Sequence, residues 1–135
     1  PRLQLQAISS KFILDKEHAK KIVSISIHKK LKNQLLSDKL EIDLLLRFSN
    51  TTQINEAIQS VGLSETQNFI LVAIGNKSCL KKLSEQIYDN LDVIFSSNNH
   101  NFLKKHFQIS TQTLNSIESK TPLVDLLVEK ASILI

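Results

Sequence analysis

Few residues of this chain have the types and spacing that metal binding requires. The four histidines, His18, His28, His100 and His106, stand apart from one another and from the single cysteine, Cys79. A structural zinc site needs several Cys and His side chains at close spacing. Solvated surface positions are the better interpretation of the histidines, and a small buried hydrophobe on a helix is the better interpretation of Cys79. We expect no bound metal.

Phosphate-loop and nucleophile chemistry is also poorly supported. A phosphate loop needs several glycines so that the backbone can approach its ligand, and Gly62 and Gly75 are the only two here. Sets of Ser, His and Asp can be drawn from any chain of this size, but none lies at a recognisable nucleophile turn. We therefore expect no catalytic site and no cofactor.

One segment has the composition of an anion-binding turn. Arg47 follows an apolar run, and the polar side chains of Asn50, Thr51, Thr52 and Gln53 then open another helix. Free N–H groups at a helix N-terminus favour phosphate, and a guanidinium adds a forked donor. These five residues are candidate contacts for a phosphate or a base edge. The alternative is helix capping together with a surface salt bridge.

The C-terminal segment is more apolar than one packed helix requires. Thr121 is a capping type, and Pro122 suits the first helical position. Nine residues of Thr121–Ile135 are apolar, and the chain ends in Ile-Leu-Ile. Surplus apolar surface predicts a protein-docking face. Its candidate residues are Leu123, Leu126, Leu127, Lys130, Ile133, Leu134 and Ile135. The alternative is that all the apolar residues are core.

Strands are predicted at two places in the sequence. A two-residue alternation over Arg2–Ser9 indicates a half-buried strand. The run NFILVAIG, residues 68–75, is β-branched and ends in Gly, which is typical of a fully buried strand. A brief third strand is predicted over Asp92–Phe95.

Helical spacing predicts the elements of the N-terminal half. Asp15 is a candidate N-cap of a helix that runs to about Asn33. Ser37 or Asp38 would cap a second helix through about Phe48, which is apolar nearly all round and therefore buried. The inward stripe of the first helix is Ala19, Ile22, Val23, Ile27 and Leu31. A third helix has the inward stripe Ile54, Ala57, Ile58 and Val61. Gly62 and Leu63 are predicted to end this third helix.

Four more helices are predicted in the C-terminal half. They cover Lys77–Asn90, Asn98–Phe107, Thr111–Ile117 and the C-terminal segment. The inward residues of the first are Leu80, Leu83, Ile87 and Leu91. Together with the strands, these helices predict the mixed α/β (α+β) class.

Length and composition limit the architecture and the compartment. A chain of 135 residues with 41% apolar and 22% charged residues is typical of one globular domain, residues 1–135. No run approaches the ~20 apolar residues of a membrane span, and no signal peptide is visible. A single cysteine favours a reducing compartment, so we expect a cytoplasmic protein that does not associate with a membrane.

Charge is concentrated in the N-terminal third. Residues 1–40 carry nine Lys and Arg against three Asp and Glu, whereas residues 41–135 carry eight against ten. A basic segment on a nearly neutral body suits an anionic partner such as nucleic acid, and Lys20 and Lys21 are its candidate contacts. The alternative is a solvated lysine face.

The sequence resembles the TPRKB-like family, whose members are the PRPK-binding subunit of the KEOPS complex. The main match is EIDLLLRFSNTTQINEAIQSVGL (Glu41–Leu63), followed by NFILVAIGN. DKEHAKKI (Asp15–Ile22) resembles the start of the family's first long helix. FQIS (Phe107–Ser110) and PLVDLLVEKASIL resemble its C-terminal part. The resemblance covers nearly the whole chain from about Lys11.

The resemblance implies a fold and a function. The fold would be a small central sheet surrounded by about six helices. The chain would be a subunit without a catalytic site, in a complex that makes threonylcarbamoyl-adenosine in tRNA. It would dock on the PRPK-type kinase-like ATPase subunit through the C-terminal helix and bind the CCA tail of tRNA near Arg47 and Thr51–Gln53. It would meet other KEOPS subunits only indirectly. The competing hypothesis is a protein–protein adaptor without an RNA role; an enzyme with an unrecognised site is the least favoured.

Overall fold

A computed structural model gives the structure of the chain and describes residues 3–61, 68–86 and 97–135. In these ranges it contains two strands, a short 3-10 turn and seven α-helices, so the predicted mixed α/β class is confirmed. In chain order the elements are β1 (Gln4–Ser9), the 3-10 turn Ser10–Phe12, α1 (Lys16–Leu31), α2 (Leu40–Ser49), α3 (Ile54–Val61), β2 (Phe69–Ile74), α4 (Lys77–Gln86), α5 (Ser97–His106), α6 (Thr111–Asn115) and α7 (Pro122–Ser132).

The sheet pairs β1 with β2 in antiparallel register, with Ile8 opposite Ile70. Ile8 is fully buried and Val72 is 8% exposed, so their face of the sheet meets the core. Leu5 and Phe69 lie on the opposite face and are nearly half exposed. Both strands are confirmed, but β2 is not the fully buried strand that its composition indicated. The short strand predicted over Asp92–Phe95 lies outside the described residues.

Helix α2 is the centre of the core, as its all-round apolar pattern predicts. It contacts α1, α3, α7 and β1. Its buried residues are Leu40, Asp43, Leu44, Leu45, Leu46, Arg47, Phe48 and Ser49. The predicted cap at Ser37 or Asp38 is wrong, because Lys39 is the N-cap residue and makes no side-chain cap bond.

Helix α1 begins as predicted but presents a different face to the core. The Asp15 carboxylate accepts a 2.8 Å hydrogen bond from the backbone N–H of His18. The buried residues are His18, Ile22 and Ser26, whereas Ile27 and Leu31 of the predicted stripe are 38% and 79% exposed. The stripe is therefore rotated, because polar side chains with internal partners take inward positions.

His18 contradicts the prediction of four solvated histidines. It is 2% exposed, its Nδ1 accepts a 3.0 Å hydrogen bond from the backbone N–H of Leu14, and its ring packs edge-on against Phe48. A neutral imidazole can be buried when a donor satisfies its ring nitrogen. His28, His100 and His106 are exposed, as predicted.

The remaining helices lie close to their predicted positions. α3 buries Ala57, while Ile54 and Ile58 are 44% and 50% exposed, so its predicted inward stripe is only partly correct. Gly62 and Leu63 at its predicted end lie outside the described residues, as do Ile87 and Leu91.

Helix α7 begins at Pro122, the predicted first helical position, and packs on α1. It ends at Ser132, so Ile133, Leu134 and Ile135 lie beyond the helix, and Leu134 and Ile135 line a cleft together with Lys29 of α1. No helix in the described ranges is long and apolar enough to cross a membrane.

Candidate partner-binding site

Arg47, the strongest candidate phosphate ligand, is inside the protein. Its residue is 2% exposed, and its Nε donates to Asp43 Oδ2 over 2.8 Å. Its Nη1 donates to the backbone carbonyl of Ala131 over 2.6 Å. The guanidinium therefore joins α2 to the last turn of α7, where a cation also complements the helix dipole.

Asp43 completes the network around Arg47. Its Oδ1 accepts from the backbone N–H of Leu36 at 2.8 Å, and its Oδ2 accepts from the Ser26 hydroxyl at 2.6 Å as well as from Arg47. A buried carboxylate is stable only when its desolvation is offset by such bonds. The Ser26–Asp43–Arg47–Ala131 network thus connects α1, α2 and α7.

Because Arg47 is buried, its guanidinium lacks the surface exposure that the predicted contact with RNA requires. The sequence signal for the internal pair was available, because Asp43 precedes Arg47 by four residues and faces it on one helix. Because charged side chains usually lie at the surface, this spacing predicts an ion pair but not its burial.

The turn after α2 is shaped by its own hydrogen bonds. Asn50 adopts a left-handed conformation with φ 56° and ends α2 with a bond from its N–H to Leu46 O. The Thr51 hydroxyl donates to Glu56 Oε2 at 2.9 Å and accepts from the backbone N–H of Gln53. The first turn of α3 therefore already carries a carboxylate, which opposes an anion there. Thr52 and Gln53 are exposed.

The two α1 lysines predicted to meet RNA are at the surface. Lys20 makes an exposed ion pair with Glu17 at 3.8 Å. Lys21 is exposed on α1, the helix against which α7 and its Asp125 pack. Hydrogen bonds from the Ser119 and Thr121 hydroxyls lower the pKa of Asp125, and the charge of Lys21 adds to the effect. Both lysines extend from an exposed helix face.

The predicted docking residues of the C-terminal segment divide into two groups. Leu123 and Leu127 are 3% and 6% exposed and belong to the core, so they lack the exposure that a docking contact requires. They face inward because α7 must bury one side against α1 and α2. Leu126, Lys130 and Leu134 are half-buried.

The end of the chain is the most exposed apolar part of the predicted docking face. Ile133 is 68% exposed and Ile135 is fully exposed. With Leu134 they form the docking segment, Ile133–Ile135. Its apolar side chains remain in contact with water, where they gain nothing from the core.

Two clefts flank the docking segment. One, of about 350 Å³, is lined by Asn50 and Lys130 together with the segment. The other, of about 460 Å³, is lined by Leu134 and Ile135 and by Lys29, Gln34, Leu35, Leu36 and Thr52. The structure thus brings Asn50 and Thr52, predicted for RNA, next to residues predicted for protein docking.

The described residues offer little to a metal or a proton-transfer step. No three His, Cys, Asp or Glu side chains among them are grouped to hold a metal ion. Burial lowers the pKa of His18 from 6.5 to about 4, against the opposing charge of Asp15. Its satisfied Nδ1 and aromatic packing give it a place in the core rather than in a site.

Comparison with known proteins identifies the family of the chain. A search of curated proteins found no match. The family model described as kinase binding protein CGI-121 matches residues 1–133, nearly the whole chain. This is the TPRKB family that the sequence resembles, and the family's description identifies a kinase as its binding partner. The chain therefore belongs to the CGI-121 family of kinase-binding proteins.

Proposed function

We propose that this chain is a non-catalytic accessory subunit of the KEOPS complex, which docks on the PRPK-type kinase-like ATPase subunit and recruits tRNA by its CCA tail. The observation that carries the docking part is the exposure of Ile133 and Ile135 directly after α7, a helix that packs against the core. Covering an exposed Ile side chain is worth roughly 1.5–3 kcal/mol, so two such residues supply a useful part of a docking energy.

Substitution of Ile133 by Asp tests the docking. The variant removes an apolar contact and places a carboxylate in the interface, so we expect kinase affinity to fall at least ~10-fold in titration calorimetry. Ile58→Asp is the matched control, because Ile58 is 50% exposed on α3 and is not part of the docking segment. Wild-type affinity in the Ile133→Asp variant would refute the proposed docking surface.

The RNA part of the proposal uses fewer residues than the sequence predicted. Lys20, Lys21, Thr52 and Gln53 are exposed and provide cationic and polar contacts. Asn50 and Thr51 shape the turn that presents Thr52 and Gln53. Arg47 has no direct role, because its guanidinium is held between Asp43 and Ala131.

Binding of intact and CCA-trimmed tRNA tests the recruitment. Recognition of the tail requires that trimming weakens binding, and we expect a loss of at least ~10-fold. Equal affinity for the two RNAs would reject tail recognition. The assay is run with and without the kinase-like subunit, so that the contribution of each protein to the affinity is separated.

A protein–protein adaptor without an RNA role is the second candidate. The burial of Arg47 and the Thr51–Glu56 bond favour it, because both weaken the predicted anion site. An adaptor would bind the kinase through Ile133–Ile135 and show no measurable affinity for either RNA.

A further inference from the structure

A basic groove runs between the second half of α1 and the end of α7. Its lining residues are Ser24, Ile25, His28, Lys29, Lys32 and Ser132, and its volume is about 540 Å³. No carboxylate is among them. Because Ser24, His28 and Lys32 are spaced by four residues, they share one face of α1.

The groove and the docking segment form one continuous surface. Ser132 lines the groove and is followed directly by Ile133, which is 68% exposed. Lys29 lines both the groove and the neighbouring cleft that contains Leu134 and Ile135. A partner that covers the docking segment from this side must therefore also cover the basic groove.

The groove lining indicates the chemistry of its occupant. Ile25 and the aliphatic stems of Lys29 and Lys32 supply apolar contact, and the Lys29 and Lys32 ammonium groups add positive charge. Acidic side chains on a protein surface fit this combination. Single-stranded RNA is usually held by aromatic rings on which bases stack, and no aromatic residue lines the groove.

We propose that the groove is a second part of the kinase interface and receives a cluster of Asp or Glu side chains from the kinase-like subunit. The inference rests on the proposed docking function and adds a charge-specific site to it. In the complex, the docking segment provides apolar contact and the groove provides register and partner selection through charge.

The double variant Lys29→Glu, Lys32→Glu tests the groove. With the purified kinase-like subunit as the probe, we expect its affinity to fall at least ~10-fold, because attraction is replaced by repulsion. Lys81→Glu, Lys82→Glu is the matched control. It makes the same change in net charge at two exposed positions on α4 and should bind like the wild type.

Salt dependence and a milder variant separate charge recognition from misfolding. Wild-type affinity for the kinase should fall several-fold between 50 and 300 mM salt, and His28→Ala, Lys32→Ala should reduce that dependence. If the wild type binds the kinase and neither the Lys29→Glu, Lys32→Glu variant nor the His28→Ala, Lys32→Ala variant weakens that binding, the proposed groove interface is refuted and the docking segment is unaffected. If the variants lose affinity for tRNA but not for the kinase, the groove binds RNA instead. If the wild type does not bind the kinase at all, both the groove interface and the docking function are refuted.

Discussion

An arginine at the surface can bind a phosphate of a partner, whereas an arginine in a buried ion pair cannot. An exposed Arg47 would have been free to meet a phosphate, whereas the observed Arg47 is committed to Asp43 and to the Ala131 carbonyl. Removing one partner of a buried pair leaves the other charge desolvated and unpaired. Substitution of Arg47 therefore tests stability and cannot serve as a clean test of RNA binding.

We expect Arg47→Met to lower the free energy of unfolding by about 3–5 kcal/mol, because Asp43 is left buried without its cation. Urea denaturation measures the change. Lys20→Met is the control, since it breaks the exposed pair with Glu17 and should cost less than about 1 kcal/mol. A loss below about 1 kcal/mol for Arg47→Met would contradict the buried pair.

Stability should fall in mild acid because of His18. Its pKa in the folded protein is lowered to about 4 from 6.5, so the unfolded chain binds the extra proton between these values. Stability is full above the unfolded pKa and is lost as pH falls toward the folded one. Between pH 7.5 and pH 5 we expect a loss of about 2 kcal/mol from this residue.

The measurement for His18 is urea denaturation as a function of pH. His18→Gln should flatten the acid dependence, because glutamine does not titrate and keeps an acceptor for the Leu14 N–H. His100→Gln changes an exposed histidine and should leave the dependence unchanged. Parallel curves for wild type and His18→Gln would show that His18 titrates normally.

At the scale of single residues, the sequence predicts a helix cap but not which polar side chains are buried. The cap at Asp15 follows from its own side chain and its neighbours, and the structure confirms it. The burial of Ser26 and Asp43 depends on a bond between two helices, and that of His18 depends on packing against Phe48 of α2. Local patterns contain no information about contacts between helices, so they do not predict that these polar side chains are buried.

Helix α7 shows the same limit at the scale of an element. Its start at Pro122 is local and predictable, but apolar residues lie on most of its faces. Which of them are buried depends on where α1 and α2 pack. The docking residues predicted from the sequence therefore include Leu123 and Leu127, which the structure packs into the core.

Two substitutions in this segment should separate its two roles. Leu127→Arg buries a charge in the core and should destabilise the fold by more than about 3 kcal/mol. Ile133→Arg lies at the surface and should change stability by less than about 0.5 kcal/mol while weakening kinase binding. Thermal denaturation and a kinase pulldown measure the pair. Equal destabilisation by both would place Ile133 in the core.

At the scale of the whole molecule, the class of fold was predictable and the details of the sheet were not. Helical periods, one alternating segment and one β-branched run suffice for a mixed α/β class. Pairing of β1 with β2 joins segments some sixty residues apart, so its register depends on the packed helices. The partition of charge between the basic first third and the rest survives folding, because the α1 lysines remain largely exposed.

That charge partition gives the last prediction, the salt dependence of tRNA binding. Outside the basic groove, α1 carries four exposed lysines, Lys16, Lys20, Lys21 and Lys30, and we take three or four of them to meet one RNA strand at a time. Release of that many counterions should weaken tRNA binding roughly 20- to 50-fold between 50 and 200 mM salt. Lys20→Glu, Lys21→Glu should reduce both the affinity and the slope, and Lys81→Glu, Lys82→Glu on α4 should preserve the slope. If tRNA affinity does not change with salt concentration and the Lys20→Glu, Lys21→Glu variant has no effect, the proposed RNA role is refuted and kinase docking remains as the proposed function.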